Sequence, residues 1–195
     1  MARTKEFDPD AALRAALELF WQRGYEATSM SDLVTHLGIG RASLYATFGS
    51  KRELYLKALE RYEQDGLPKL MEDLSRPGPA LPGVRAVVRR YATEAAEEAM
   101  RLRGCFVTNT AAELAPHDAT AARRVERNWD QMETALHAAL VRARAQGELP
   151  ADRDPLTLAR MLLVLLQGLR VVGKASADPA RTRDAAEQAL ALLED

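Results

Sequence analysis

Residues 29–54 read SMSDLVTHLGIGRASLYATFGSKREL. Two short apolar-patterned segments flank Gly38-Ile39-Gly40, and a third begins at Ser50. Ser29 stands three residues before Asp32, and Ser50 three before Glu53. That spacing is the reciprocal cap of a helix start, with Asp replacing the usual Glu or Gln in the first pair. Leu33, Val34 and Leu37 give the first helix a buried stripe, and Leu44 with Phe48 gives one to the second. Two short helices joined by a tight glycine turn form a device for reading DNA. The second helix can enter the major groove while the first braces against the backbone.

The same helical periodicity extends outward from this unit. Leu13, Ala16, Leu17, Phe20 and Trp21 repeat at the spacing of one buried helix face. Asp8-Pro9 starts that helix, because Asp accepts from free amides and Pro has no donor to lose there. Gly24 ends it. Asp154-Pro155 and Asp178-Pro179 repeat the start signal. A long helix after Ser50 is expected to bend near Gly66-Leu67-Pro68. Residues 76–83, RPGPALPG, read as a loop. Beyond it, helices are marked by Val84 to Ala95, Cys105 to Leu114, Val125 to Leu140, Pro155 to Gly173 and Ala186 to Leu193. Strand-like alternation is almost absent, so the fold class is all-α, with about nine helices.

Composition narrows the partners. The chain has 195 residues, 47% hydrophobic and 28% charged, which is typical of a soluble globular protein of one domain or two small ones. A net charge of −1 excludes a basic nucleic-acid coat but allows a local patch. From His36 to Lys57 the charges are Arg41, Lys51, Arg52, Lys57 and Glu53, a local excess of 4 − 1 = +3. No apolar leader follows the N-terminus, and the longest strongly apolar run, Met161 to Leu166, is far too short to span a bilayer. The single cysteine, Cys105, excludes an internal disulfide framework. These features lead us to expect a cytoplasmic protein without a membrane partner. His36, His117 and His137 lack metal spacing, and no nucleophile–base pair, phosphate loop or dinucleotide fingerprint appears. Neither an enzyme nor a metal or cofactor is therefore expected.

Residues 8–62 closely resemble the N-terminal domain of the TetR family of bacterial transcriptional regulators. The resemblance is carried by Ala16 to Phe20, Gly24-Tyr25, Ser29 to Leu33, Leu37-Gly38 and Ser43 to Leu54. It implies a DNA-binding helix-turn-helix domain over 1–52 and a ligand-binding and dimerisation domain over 53–195. It further implies a repressor released from double-stranded operator DNA by a small-molecule effector. By the same resemblance Tyr45 reaches a phosphate. Lys51, at a helix start, favours one as well. Arg41, Ala42, Ser43, Ala46 and Thr47 occupy the exposed start and face of the reading helix. Arg41 suits guanine or a phosphate, and the small side chains suit thymine methyls. Ser29 and Ser31, with His36, position the unit.

The second part of the chain offers Tyr91, Phe106, Asn109, Trp129, Met132, Met161 and Gln167, an apolar mix with a few polar groups. Such a mix suits a ligand pocket, and equally an ordinary core. Cys105 follows Gly104 near Arg101 and Arg103 at a helix start, a setting that raises thiol reactivity. The block around it resembles a subgroup in which some members sense electrophiles or oxidants through that cysteine; the alternative is an inert buried thiol. The helix over 155–173 is apolar nearly all round and needs cover on more than one side. Together with the alanine-rich helix over 179–194, it is expected to form a four-helix interface with a second copy of the chain.

Overall fold

The computed structural model describes residues 7–193, without the side chains of Ala99 and Met100. Residues 1–6 and 194–195, at the ends of the expected N-terminal unit and last helix, lie outside the described residues. The described residues contain α1 (Pro9–Arg23), α2 (Met30–Leu37), α3 (Arg41–Phe48), α4 (Lys51–Ser75) and α5 (Leu81–Ala96). They continue with α6 (Glu98–Arg103), α7 (Phe106–Glu113), α8 (Ala119–Ala145), α9 (Pro155–Ala175) and α10 (Ala180–Ala191), plus a 3-10 turn at Ala115–His117. Among them there is no strand. The fold is all-α, as the periodicity requires. The short α6 adds to the expected set, because six residues carry too little periodicity to be seen.

The local signals operate as chemistry demands. Both serine boxes form with both halves present, and Asp8 and Asp154 accept from the first free amides of α1 and α9. One expectation is corrected. The segment 76–83 is a loop only up to Ala80, since α5 starts at Leu81 and takes Pro82 into its first turn, where the missing donor costs nothing. α4 continues as a helix past Pro68 to Ser75.

Two cores stack along the long helices. The first holds Ala16, Phe20, Leu33, Leu44, Phe48, Leu54 and Tyr55, and is completed by Phe106, Val107, Leu114, Ala121 and Val125 from α7 and α8. The second holds Leu70 and Leu74 of α4 with Val84, Val87, Leu136, Leu140, Leu162, Leu166 and Leu190. α4 and α8 run through both cores, so the reading unit rests directly on the rest of the chain.

α9 is 21 residues long with a mean hydropathy of 1.6, enough by length and composition to cross a membrane. That corrects the estimate made from the six-residue run alone. A core helix meets the same test, and Leu158, Ala159, Leu162, Leu166 and Leu169 of α9 are buried in the second core. Its opposite side leaves Val164 71% and Val171 54% exposed.

Candidate DNA interface and adjoining cavity

α2 ends at Gly38, whose φ of 64° is left-handed and suits glycine. Ile39 is buried below the turn, and α3 begins after Gly40. This geometry turns Leu44, 1% exposed, and Phe48 inward. Arg41, Ala42, Ser43, Tyr45 and Ala46 point outward, and Thr47 is half-buried at the edge. Tyr45 is 44% exposed, a large aromatic on the surface where burial would otherwise draw it in. Ser31 and His36 are exposed on α2.

The local basic excess divides on inspection. Lys51 donates to the Tyr25 carbonyl at 2.9 Å and lies 4.1 Å from the Tyr25 ring centre. It therefore ties the start of α4 to the turn between α1 and α2. Arg52 forms a bidentate pair with Asp118, the N-cap of α8. That guanidinium, followed by the amides of Ala121 and Thr120, holds the Asp118 carboxyl at about 2. Ser29 is engaged by its own cap: its hydroxyl donates to Asp32 at 2.5 Å and accepts the Asp32 amide at 3.1 Å. Arg41 has no ion pair or hydrogen bond among the described residues. Its side chain is exposed at the start of α3, and Lys57, also exposed, lies 5.7 Å from the Phe48 ring centre.

A group that the sequence reading missed holds the reading unit in place. The Glu113 carboxylate, at the end of α7, accepts the amides of Tyr25 and Glu26 at 3.0 and 2.8 Å. It packs against Gly24, whose φ is 87°. Trp21 donates to the Gly104 carbonyl at 2.9 Å, and Arg103 pairs with Glu18. These contacts join residues more than eighty positions apart.

Above them, α4, α5, α7, α8 and α9 enclose a cavity of about 350 Å³. Of the eight expected pocket residues, Tyr91, Cys105, Met132 and Gln167 lie on its wall. The other four lie elsewhere in the fold. Phe106 is fully buried in the first core, with ring centres 4.9 Å from Tyr55 and 5.8 Å from Tyr62. Asn109 bonds the Arg103 carbonyl and the Lys174 amine. Trp129 packs against the first core, and Met161 against the second. Helix phase turns these four away, and a list chosen by residue type carries no phase.

The wall also includes Tyr62, Arg90, Glu94, Asn128 and Arg170, which the sequence reading did not select. Arg170, the single charge in the stretch from Met161 to Gly173, was the available signal. Tyr62 donates to the Cys105 thiol at 3.6 Å. Burial pushes the Tyr62 and Tyr91 phenols up, so both stay protonated donors. Arg170 is 9% exposed, donates from Nη2 to Glu94 at 2.7 Å and lies 4.4 Å from the Tyr91 ring centre. Among the described residues no cluster of three or more His, Cys, Asp or Glu could hold a metal ion.

Comparison with known proteins places both parts. Residues 12–58 match the bacterial regulatory proteins of the tetR family, and residues 80–189 match the tetracyclin repressor-like C-terminal domain. YezE of Bacillus subtilis (strain 168), an HTH-type transcriptional regulator, is 39% identical over 195 residues, covering 100% of both chains. ComR of Escherichia coli (strain K12), an HTH-type transcriptional repressor, is 34% identical over 179 residues, 90% of this chain and 83% of ComR. A cysteine mutant of the TetR family transcriptional regulator CifR, solved with 26-bp double-strand operator DNA, has a TM-score of 0.85 at 29% identity. It covers 98% of this chain and 100% of CifR.

Proposed function

This chain belongs to the TetR family of bacterial regulatory proteins, and from that premise we propose that it is a dimeric, cytoplasmic repressor released from a palindromic operator by a small-molecule effector. The observation that carries the DNA reading is the outward face of α3. Arg41, Ala42, Ser43, Tyr45 and Ala46 are exposed there, while Leu44 and Phe48 lock the helix from behind. Arg41 and the small side chains touch bases. Tyr45 and Lys51 meet phosphates, Lys51 with the hydrogens that Tyr25 does not take. Ser29, Ser31 and Thr47 flank the contact. The reading domain spans 1–52 and the effector and dimer domain 53–195, with α4 as the rod between them.

Dimerisation uses the outer face of α9 with α10. Val164, Val171 and Val172 are exposed along one side of α9, with Gly168 between them leaving room for close approach. Ala185 on α10 and Leu192 just past its end are exposed as well. A two-fold dimer places two reading helices one helical turn of DNA apart, about 34–36 Å, or a multiple of it. The test is an electrophoretic shift with the protein's own upstream DNA at rising salt. Binding should weaken steeply as condensed counterions are regained. Salt-independent binding, or a footprint over one asymmetric half-site, argues against the reading.

One observation favours a second reading. Cys105 caps the start of α7 on the cavity wall, half-buried, with the Tyr62 hydroxyl on its sulfur. A thiol there can gate the same DNA response by reacting with an electrophile or oxidant. Alkylation should then abolish DNA binding by the wild type and leave Cys105→Ser unaffected. Equal responses from the two proteins remove this reading.

A further inference from the structure

The guanidinium of Arg170 is the most consequential group in the cavity that the fold does not satisfy. It is 9% exposed, and its Nε and Nη1 have no acceptor among the described residues. Buried donors are ordinarily paired, so two unpartnered nitrogens on one charged group mark a place built for an acceptor. Glu94 supplies the only carboxylate on Arg170 among the described residues, and Glu94 is shared with Arg90 at 3.2 Å. Arg90 also bonds Asp73, which holds Arg76 as well. The connected network thus has three guanidiniums against two carboxylates. Its excess positive charge is at its most buried at Arg170.

The rest of the wall defines the partner. Leu67, Leu70, Val107 and Met132 make one side apolar. Glu63 lies on the wall with its own guanidinium partner, Arg124, at 3.9 Å. Lys69 and Glu97 complete the charged lining and offset each other. At about 350 Å³ the cavity is at the small end of ligand pockets.

Resting on the reading of this cavity as the effector site, we propose that the effector is a monocarboxylic acid with a short apolar body. Its carboxylate sits on Arg170, and its body lies along Leu67, Leu70, Val107 and Met132. A carboxylate fits better than a neutral carbonyl because it completes the charge balance of the network as well as its hydrogen bonds.

The test uses the purified full-length protein and four probes: hexanoate, benzoate, hexanamide and benzamide. Calorimetry should show at least one acid binding about tenfold or more tightly than its own amide, the scale of a charge-assisted contact. The preference should vanish in Arg170→Gln and be reduced in Arg170→Lys, which keeps the charge but loses the fork. The proposal is overturned if the amides bind as well as the acids, if neither acid binds, or if the preference survives in Arg170→Gln. Should Arg170→Gln fail to fold, the acid–amide comparison on the wild type decides alone. An operator shift assay run in parallel separates the two readings. Acid binding without DNA binding defeats the repressor assignment and leaves this one, and DNA binding without acid binding does the reverse.

Discussion

Replacing Glu113 should loosen the reading unit from the body of the protein without touching a single residue of the reading helix. Its carboxylate accepts two backbone amides, at 3.0 Å from Tyr25 and 2.8 Å from Glu26. Those amides follow Gly24 and precede α2, so no helix supplies them with another acceptor. A hydrogen bond to a charged group contributes roughly 1.5–3 kcal/mol when buried. The site is half-exposed, so about 1–1.5 kcal/mol per bond is the fitting scale, and Glu113→Ala should cost about 2–3 kcal/mol. In a chain of this size each kcal/mol moves the melting midpoint by about 2–4 °C, giving a fall of roughly 4–12 °C. Glu113→Gln should lie between, since its amide keeps one acceptor and turns a donor toward the other backbone N–H. The assay is thermal and urea denaturation of both variants beside the wild type, with operator affinity measured below the transition. Affinity should fall as well, because the clamp holds the turn that leads into α2. A loss under about 0.5 kcal/mol for Glu113→Ala, the ordinary effect of a surface change, would refute the reasoning.

Four further outcomes are expected. Arg41→Ala should leave the melting midpoint unchanged and weaken operator binding by about 1–3 kcal/mol. By contrast Leu44→Ala should cost about 2–5 kcal/mol of stability, because Leu44 is fully buried behind the same helix; denaturation and fluorescence anisotropy on both variants separate the two. The Asp118 carboxyl is held at about 2 against an ordinary 3.8, mainly by Arg52. A depressed carboxylate contributes fully above its unfolded pKa and loses that contribution as pH falls through the folded one. Wild type should therefore lose stability faster than Asp118→Asn between about pH 4 and pH 2, and parallel acid titrations would contradict the assignment. Finally, Val164→Glu should convert a dimer to monomer in sedimentation while the helical signal is retained, since Val164 is 71% exposed in the single chain. An unchanged sedimentation coefficient places the interface elsewhere.

The reading helix, its buried anchors and the caps of its neighbours α2 and α4 were legible in residues 29–54 because those signals act over three or four positions. A serine that caps an amide three residues on does so in any fold that leaves the helix intact. The same locality made Arg41 and Tyr45 readable as an outward face once Leu44 and Phe48 were assigned inward. The cavity was half-legible. Tyr91, Cys105, Met132 and Gln167 reached its wall, whereas Phe106, Asn109, Trp129 and Met161 turned elsewhere. Residue type signals apolar or polar character, but which side of a helix faces which neighbour depends on packing.

The sequence by itself thus determined an all-helical regulator with a glycine-turned reading helix, because caps, turns and periodicity are encoded within single helices. Only the tertiary structure decided what holds that unit and what the cavity asks for. Glu113 reaches Tyr25 across 88 positions, and Arg170 reaches Glu94 across 76. At such separations no local propensity constrains the pairing. The partner of a carboxylate or guanidinium is set by which helices the two cores bring together, and by the cost of leaving a buried charge unmatched.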